Sequence, residues 1–226
     1  MTVQICASVI ARTPRDMERM MKRAERVGAD LIEVRMDYFR EKYNLKDIRS
    51  FSSLPLIATN RPSREGGLFE GSEEERIQLL SSAVDSEFEL IDIELSTEGA
   101  KEIVQRIRDA GIETIISSHI LNSTPNLTTL NLTLKKEMNT NANICKIVTS
   151  AKEFQDNLRC LRFVETAAKK TNVTCFCMGE LGKMSRLISP LFGGYLTYAS
   201  VEKDKESAPG QLTITEMRKF YEIVGV

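Results

Sequence analysis

Short apolar, β-branched runs alternate with helix-like stripes eight times along this chain, which sharply restricts the folds open to it. The strand-like runs span residues 3–10, 31–36, 54–59, 88–95, 112–118, 144–148, 173–177 and 195–199. Between them lie amphipathic stretches with recognisable starts. Thr13 and Pro14 read as cap and first helical residue ahead of Met17, Met20, Met21, Ala24 and Val27, with Gly28 as the stop. Ser72/Glu75, Ser150/Glu153 and Thr213/Glu216 have capping-box spacing, and short helices are expected over 45–51 and 181–187. Each unit averages about 28 of the 226 residues. Repeated βα units predict a parallel sheet, because each strand must return by a crossover. Eight of them in a chain near ~250 residues predict a closed (β/α)8 barrel, one domain over residues 1–226. An open doubly wound sheet would announce itself with Gly-x-Gly-x-x-Gly after the first strand; here that turn reads Ala11-Arg12-Thr13-Pro14-Arg15-Asp16.

Composition removes several classes of function. With 31 basic and 32 acidic residues the net charge is −1, so no nucleic-acid partner is expected. The opening residues lack the basic and apolar regions of a signal peptide, and no apolar run approaches the ~20 residues of a membrane helix. A soluble, cytoplasmic protein with no membrane partner is expected. The five cysteines are odd in number and form no Cys-x-x-Cys pair, which suits free thiols in a reducing compartment. With a single histidine beside them, no metal site is expected.

In a barrel of this kind ligands sit at the carboxyl ends of the strands. Side chains alternate along a strand, so Ile32, Val34 and Met36 face the helices while Glu33 and Arg35 point inward. Buried opposite charges need each other or a ligand. Asp92 and Glu94 share one face of the fourth strand, as acids suited to orienting a histidine or lysine or to a rim salt bridge. His119, the only histidine, ends the fifth strand, and Lys146 lies inward between Ile144 and Val148 on the sixth. Burial favours a free amine over an ammonium, and the free amine is the nucleophile. A histidine beside it can move protons. Arg61 opens the loop after the third strand, and Arg186 is expected at the head of a short helix, where an anion is favoured. With Arg35 they form a set able to gather round a small acidic, polyhydroxylated molecule. The charged loop over 201–211 is long enough to serve as a lid.

Taken in order, Glu33-Val34-Arg35, Asn60-Arg61 with Glu65-Gly66-Gly67, Ser118-His119, Cys145-Lys146-Ile147, Met184-Ser185-Arg186 and Ser207-Ala208-Pro209-Gly210-Gln211 resemble type I 3-dehydroquinate dehydratase along essentially the whole chain. The resemblance implies that Lys146 forms a Schiff base with the C3 ketone of 3-dehydroquinate. It implies that His119 takes a proton from C2 and returns it to the departing C1 hydroxyl, a syn elimination through an enamine. It further implies that Glu33 and Arg35 hold ring hydroxyls, and that Arg186, Ser207 and Gln211 hold the carboxylate end. Arg61 and Glu65 would shape the pocket and orient His119 or its partners, with Met178 and Tyr198 as walls and Asp92 in support. No metal or organic cofactor is implied, and a homodimer is. Two departures stand out: Tyr198 replaces the family's usual phenylalanine, and the lid carries extra charges before Ser207. A class I aldolase shares a lysine on the sixth strand, but would bind phosphate through glycine-rich late loops, and Gly193-Gly194 precedes the eighth strand instead. A non-catalytic sensor of small acids would not need both His119 and Lys146.

Overall fold

The computed structural model describes residues 3–226. Eight strands form one sheet: β1 Ile5–Val9, β2 Leu31–Arg35, β3 Leu56–Thr59, β4 Leu90–Glu94, β5 Glu113–Ile120, β6 Ile144–Ser150, β7 Val173–Met178 and β8 Thr197–Ala199. All ladders are parallel, and the spatial order is β7-β6-β5-β4-β3-β2-β1-β8. A single backbone bond, Tyr195 N to Val173 O at 2.8 Å, reaches across the remaining gap between β7 and β8. Eight helices follow the strands in turn: α1 Pro14–Arg26, α2 Leu45–Arg49, α3 Glu73–Ser81, α4 Ala100–Asp109, α5 Leu127–Met138, α6 Gln155–Ala167, α7 Lys183–Ile188 and α8 Ile214–Val224. This is the expected (β/α)8 barrel. No helix among the described residues is long and apolar enough to cross a membrane.

The period-two alternation of the strands sorts the chain into two cores. Outward residues such as Ile32, Val34, Ile91, Ile116 and Ile147 pack under the helices, with Met17, Met20, Met21 and Ala24 supplied by α1. Inward, Cys6, Leu31, Ile57, Leu90, Ile115, Ile144 and Leu196 form an apolar floor. Two residues further along the same strands stand Ser8, Glu33, Thr59, Asp92, Ser117, Lys146 and Tyr198, all buried. The floor keeps water out from below, and the polar layer above it must therefore satisfy itself or bind something.

Local signals held at most helix starts. Thr13 accepts from Asp16 N, and both halves of the capping boxes at Ser72/Glu75 and Thr213/Glu216 are made. The Ser150/Glu153 box is not formed. Ser150 is drawn into β6 opposite Met178, and α6 begins after Phe154, which is exposed along with Leu158. Asp156 accepts from Lys152 N and Glu153 N in its place.

Candidate active site

A cavity of about 360 Å³ opens at the carboxyl ends of the strands. Glu33, Arg35, Arg61, Glu65, His119, Lys146, Met178, Arg186, Tyr198, Ser207 and Gln211 line it; of the expected residues, Asp92 and Glu94 do not line it and are fully buried.

Lys146 rises from the polar layer. Its Nζ donates to Asp92 Oδ2 at 3.0 Å and Glu33 Oε1 at 3.3 Å, and lies 4.1 Å from the centre of the Tyr198 ring. Burial alone would raise the Asp92 carboxyl, but Arg61 and Lys146 outweigh it and hold it far below the usual range. Glu33 follows the same pattern: burial opposes ionisation, and Lys146 and Arg35 reverse the sign. Lys146 stands opposite Ser117 in the ladder and His119 opposite Val148. The two reactive groups thus lie on one face, one strand across and two residues along, roughly 8 Å apart at Cα. That spacing admits a small ring between them.

His119 Nδ1 is 3.1 Å from Glu65 Oε2. Burial would raise Glu65, yet its bonds to His119 and Ser96 lower it. An ionised Glu65 can only accept, so Nδ1 carries the hydrogen and Nε2 keeps a free lone pair. Burial and the neighbouring Arg61 push the imidazole down to about 4, against the opposing pull of Glu65. His119 is therefore neutral at physiological pH, a base ready to accept. Glu65 is delivered by a loop that doubles back tightly: a Cβ on Gly67 would lie 2.0 Å from Arg61 O, so only glycine fits there.

The arginines behave differently from one another. Arg35 does not pair with Glu33; it forks onto Asp37, Nε to Oδ1 at 2.9 Å and Nη2 to Oδ2 at 2.8 Å. Arg61, expected to meet a ligand anion, is used internally. Its Nη2 meets Asp92 at 2.7 Å, and its Nη1 meets Glu94 at 2.6 Å and Ser117 at 2.7 Å. Glu94 also accepts from Arg76, a fully buried α3 residue that reaches Thr97 Oγ1 and Glu73 as well. Sequence reading missed Arg76, Asp37 and Ser117. Arg76 sits in a run of charges that reads as helix surface, and only Asp37, two residues beyond Arg35, offered a spacing that could have been noticed.

Arg186 corrects a second expectation. It is not at the head of its helix but at the fourth residue of α7. Its side chain turns inward over the Phe176 ring, 4.2 Å away, and is fully buried. Nη1 reaches Tyr198 O at 3.4 Å, while Nε and Nη2 have no partner among the described residues. Burial pushes this guanidinium down to about 10. The Tyr198 hydroxyl is likewise buried and unpartnered.

Over the mouth lies the 201–211 loop. Pro209 O accepts from Gly179 N at 2.9 Å, and a Cβ on Gly210 would sit 2.2 Å from Gly179 O. Ser207 and Gln211 bond to each other through Ser207 N to Oε1 at 2.9 Å and Nε2 to Oγ at 3.0 Å. One of the extra charges, Glu202, is drawn onto α1 by Arg23 Nε at 2.8 Å, which anchors the start of the loop away from the pocket.

The family model described as type I 3-dehydroquinase matches residues 5–226. The chain is 36% identical over 221 residues to the 3-dehydroquinate dehydratase of Thermococcus onnurineus, covering 98% of each. It is 35% identical over 223 residues to the chloroplastic bifunctional 3-dehydroquinate dehydratase/shikimate dehydrogenase of Arabidopsis thaliana, covering 96% of this chain but only 36% of that protein. Among solved structures, the 3-dehydroquinate dehydratase of Geobacillus kaustophilus superposes with a TM-score of 0.93 at 27% identity, over 100% of this chain and 92% of that one.

Proposed function

Because the chain belongs to the type I 3-dehydroquinase family, hydro-lyases of the shikimate pathway, we propose that it dehydrates 3-dehydroquinate to 3-dehydroshikimate through a Schiff base on Lys146, with His119 as the proton carrier. The observation that carries this reading is a lysine, a neutral histidine and a buried guanidinium with two nitrogens unpartnered among the described residues, all facing one cavity. A guanidinium buried without an anion is costly, and a carboxylate on the substrate would satisfy both of its free nitrogens.

Lys146, once its ammonium proton has been lost to solvent, adds as the free amine to the C3 ketone, and loss of water gives the iminium. The iminium draws electrons from the adjacent C2–H bond, so a base as weak as imidazole suffices. His119 Nε2 takes the C2 proton, leaving an enamine. The same proton then goes to the C1 hydroxyl, which departs as water on the same face as the enamine pushes back to iminium. Hydrolysis releases a C1–C2 alkene conjugated with the ketone and frees the lysine. In this reading Glu33 and Arg35 orient ring hydroxyls, Arg186, Ser207 and Gln211 take the carboxylate end, and Glu65 fixes the imidazole tautomer. Arg61 and Asp92 keep the polar layer in register, and Met178 and Tyr198 confine the ring. The enzyme acts as a homodimer in the cytoplasm, its whole chain one catalytic domain.

The test is borohydride reduction in the presence of 3-dehydroquinate, followed by peptide mass mapping. A reduced adduct on Lys146, abolished in Lys146→Ala together with nearly all turnover, is expected. Labelling at another lysine would overturn the assignment.

A further inference from the structure

Ser8 stands on β1, buried to 1% exposure, and joins two parts of the site. Its Oγ lies 2.5 Å from Glu33 Oε2 and 2.8 Å from Ser207 Oγ in the lid. The other oxygen of Glu33 accepts from Thr59 Oγ1 at 3.2 Å and Lys146 Nζ at 3.3 Å. Ser207 Oγ in turn receives Gln211 Nε2 at 3.0 Å.

The direction of this chain follows from counting protons. An ionised carboxylate only accepts, so Ser8 must use its one hydroxyl hydrogen on Glu33. Its contact with Ser207 then has to run the other way, with Ser207 donating. Ser207 accepts from Gln211, so the donors point in one sense, from Gln211 through Ser207 and Ser8 to Glu33. They end on the carboxylate that also holds Lys146. Hydrogen bonds that terminate on a charge inside a protein are the strong ones, and successive links polarise one another.

We propose that Ser8 is a positioning residue that latches the 201–211 lid onto Glu33, so that one carboxylate governs both the seating of Lys146 and the closure of the loop above it. The latch is a property of the protein alone; its effect on turnover rests on the Schiff-base reading. Replacing Ser8 by alanine leaves the Ser207 hydroxyl without an acceptor and Glu33 Oε2 without its donor. A purely structural role for Ser8 in β1 would instead loosen the strand and leave the lid and its dependence on Gln211 unchanged.

Hydrogen exchange of the 201–211 segment in the ligand-free protein reads the latch without any chemistry. Ser8→Ala should raise exchange there by roughly tenfold, the loss of one buried hydrogen bond between lid and strand, with β1 and its neighbours protected as before. Ser207→Ala breaks the same chain from the solvent side and should do the same, which keeps the test decisive if Ser8→Ala folds poorly. In steady state Ser8→Ala should raise KM by roughly tenfold and lower kcat less, and adding Gln211→Ala should cost less than the product of the single effects. Borohydride trapping on Lys146 should persist in Ser8→Ala at saturating 3-dehydroquinate. Unchanged loop exchange in Ser8→Ala, or in Ser207→Ala should the first not fold, would overturn the latch, and so would strictly multiplicative kinetics. Absence of trapping in the unaltered protein would instead overturn the Schiff-base reading and leave the exchange result to decide the latch.

Discussion

Arg186→Met should make the ligand-free protein more stable and the enzyme much worse. Methionine approximates the length of the arginine stem and keeps contact with Phe176 while removing the charge. Burial that lowers the guanidinium to about 10 corresponds to a penalty of about 3 kcal/mol on its charge. The Phe176 face at 4.2 Å returns roughly 1 kcal/mol of that. The net gain from removing it is about 2 kcal/mol, a rise of several degrees in Tm for a chain of this size. In the substrate complex the balance reverses. Deleting one partner of a buried charge pair costs about 2–5 kcal/mol, so kcat/KM should fall at least ~30-fold. Calorimetric melting and initial rates, followed by the ultraviolet absorbance of the conjugated product, measure both halves. A variant that melts lower and turns over normally would show that the guanidinium is a structural strut, and the carboxylate assignment would fall with it.

His119→Ala should still form the imine and then stall, accumulating a borohydride-trappable adduct; near-normal dehydration would exclude the role. Because a neutral imidazole is the base and it protonates only near 4, kcat/KM should decline as pH falls through about 4; a midpoint between 6 and 7 would contradict the environment described for it. Glu137, buried on α5 and accepting from Ser118 Oγ at 2.7 Å, has a carboxyl raised well above its ordinary value by burial. The native state therefore holds a proton that the unfolded chain releases above ~4.5, and stability falls as pH rises from there. Glu137→Gln should remove that loss, so its advantage in urea midpoint should grow between pH 5 and pH 8; an equal effect at both would refute the assignment.

The barrel and the inward set were readable because a strand's alternation is rigid: once Ile32 and Val34 face the helices, Glu33 and Arg35 have nowhere else to go. Partner choice was not readable. Glu33 and Asp37 lie equally near Arg35 in sequence, yet Arg35 takes Asp37 and Glu33 takes Lys146, because a neighbour's reach in three dimensions decides. Of the two inward acids on β4, Asp92 accepts from Lys146 and Arg61, whereas Glu94 accepts from Arg61 and Arg76. Ser150/Glu153 shows the limit of local signals: the spacing suits a cap, but six ladder positions shared by β6 and β7 pull Ser150 into the sheet. Arg186 lies at the fourth residue of α7 rather than its head, since a short helix gives too little periodicity to fix its first residue.

The seam between β7 and β8 bears on how the molecule is made. These strands are close in sequence, yet β8 hydrogen-bonds along its length to β1, at the opposite end of the chain. During synthesis β1 must wait for the other seven strands to emerge before its second edge is covered, and such distant pairing forms slowly. Of the eight strands, the one that leads into the lid is thus made last, and it is placed by the one made first. A nascent chain stopped before residue 197 would carry His119 and Lys146 but lack the roof that shelters them.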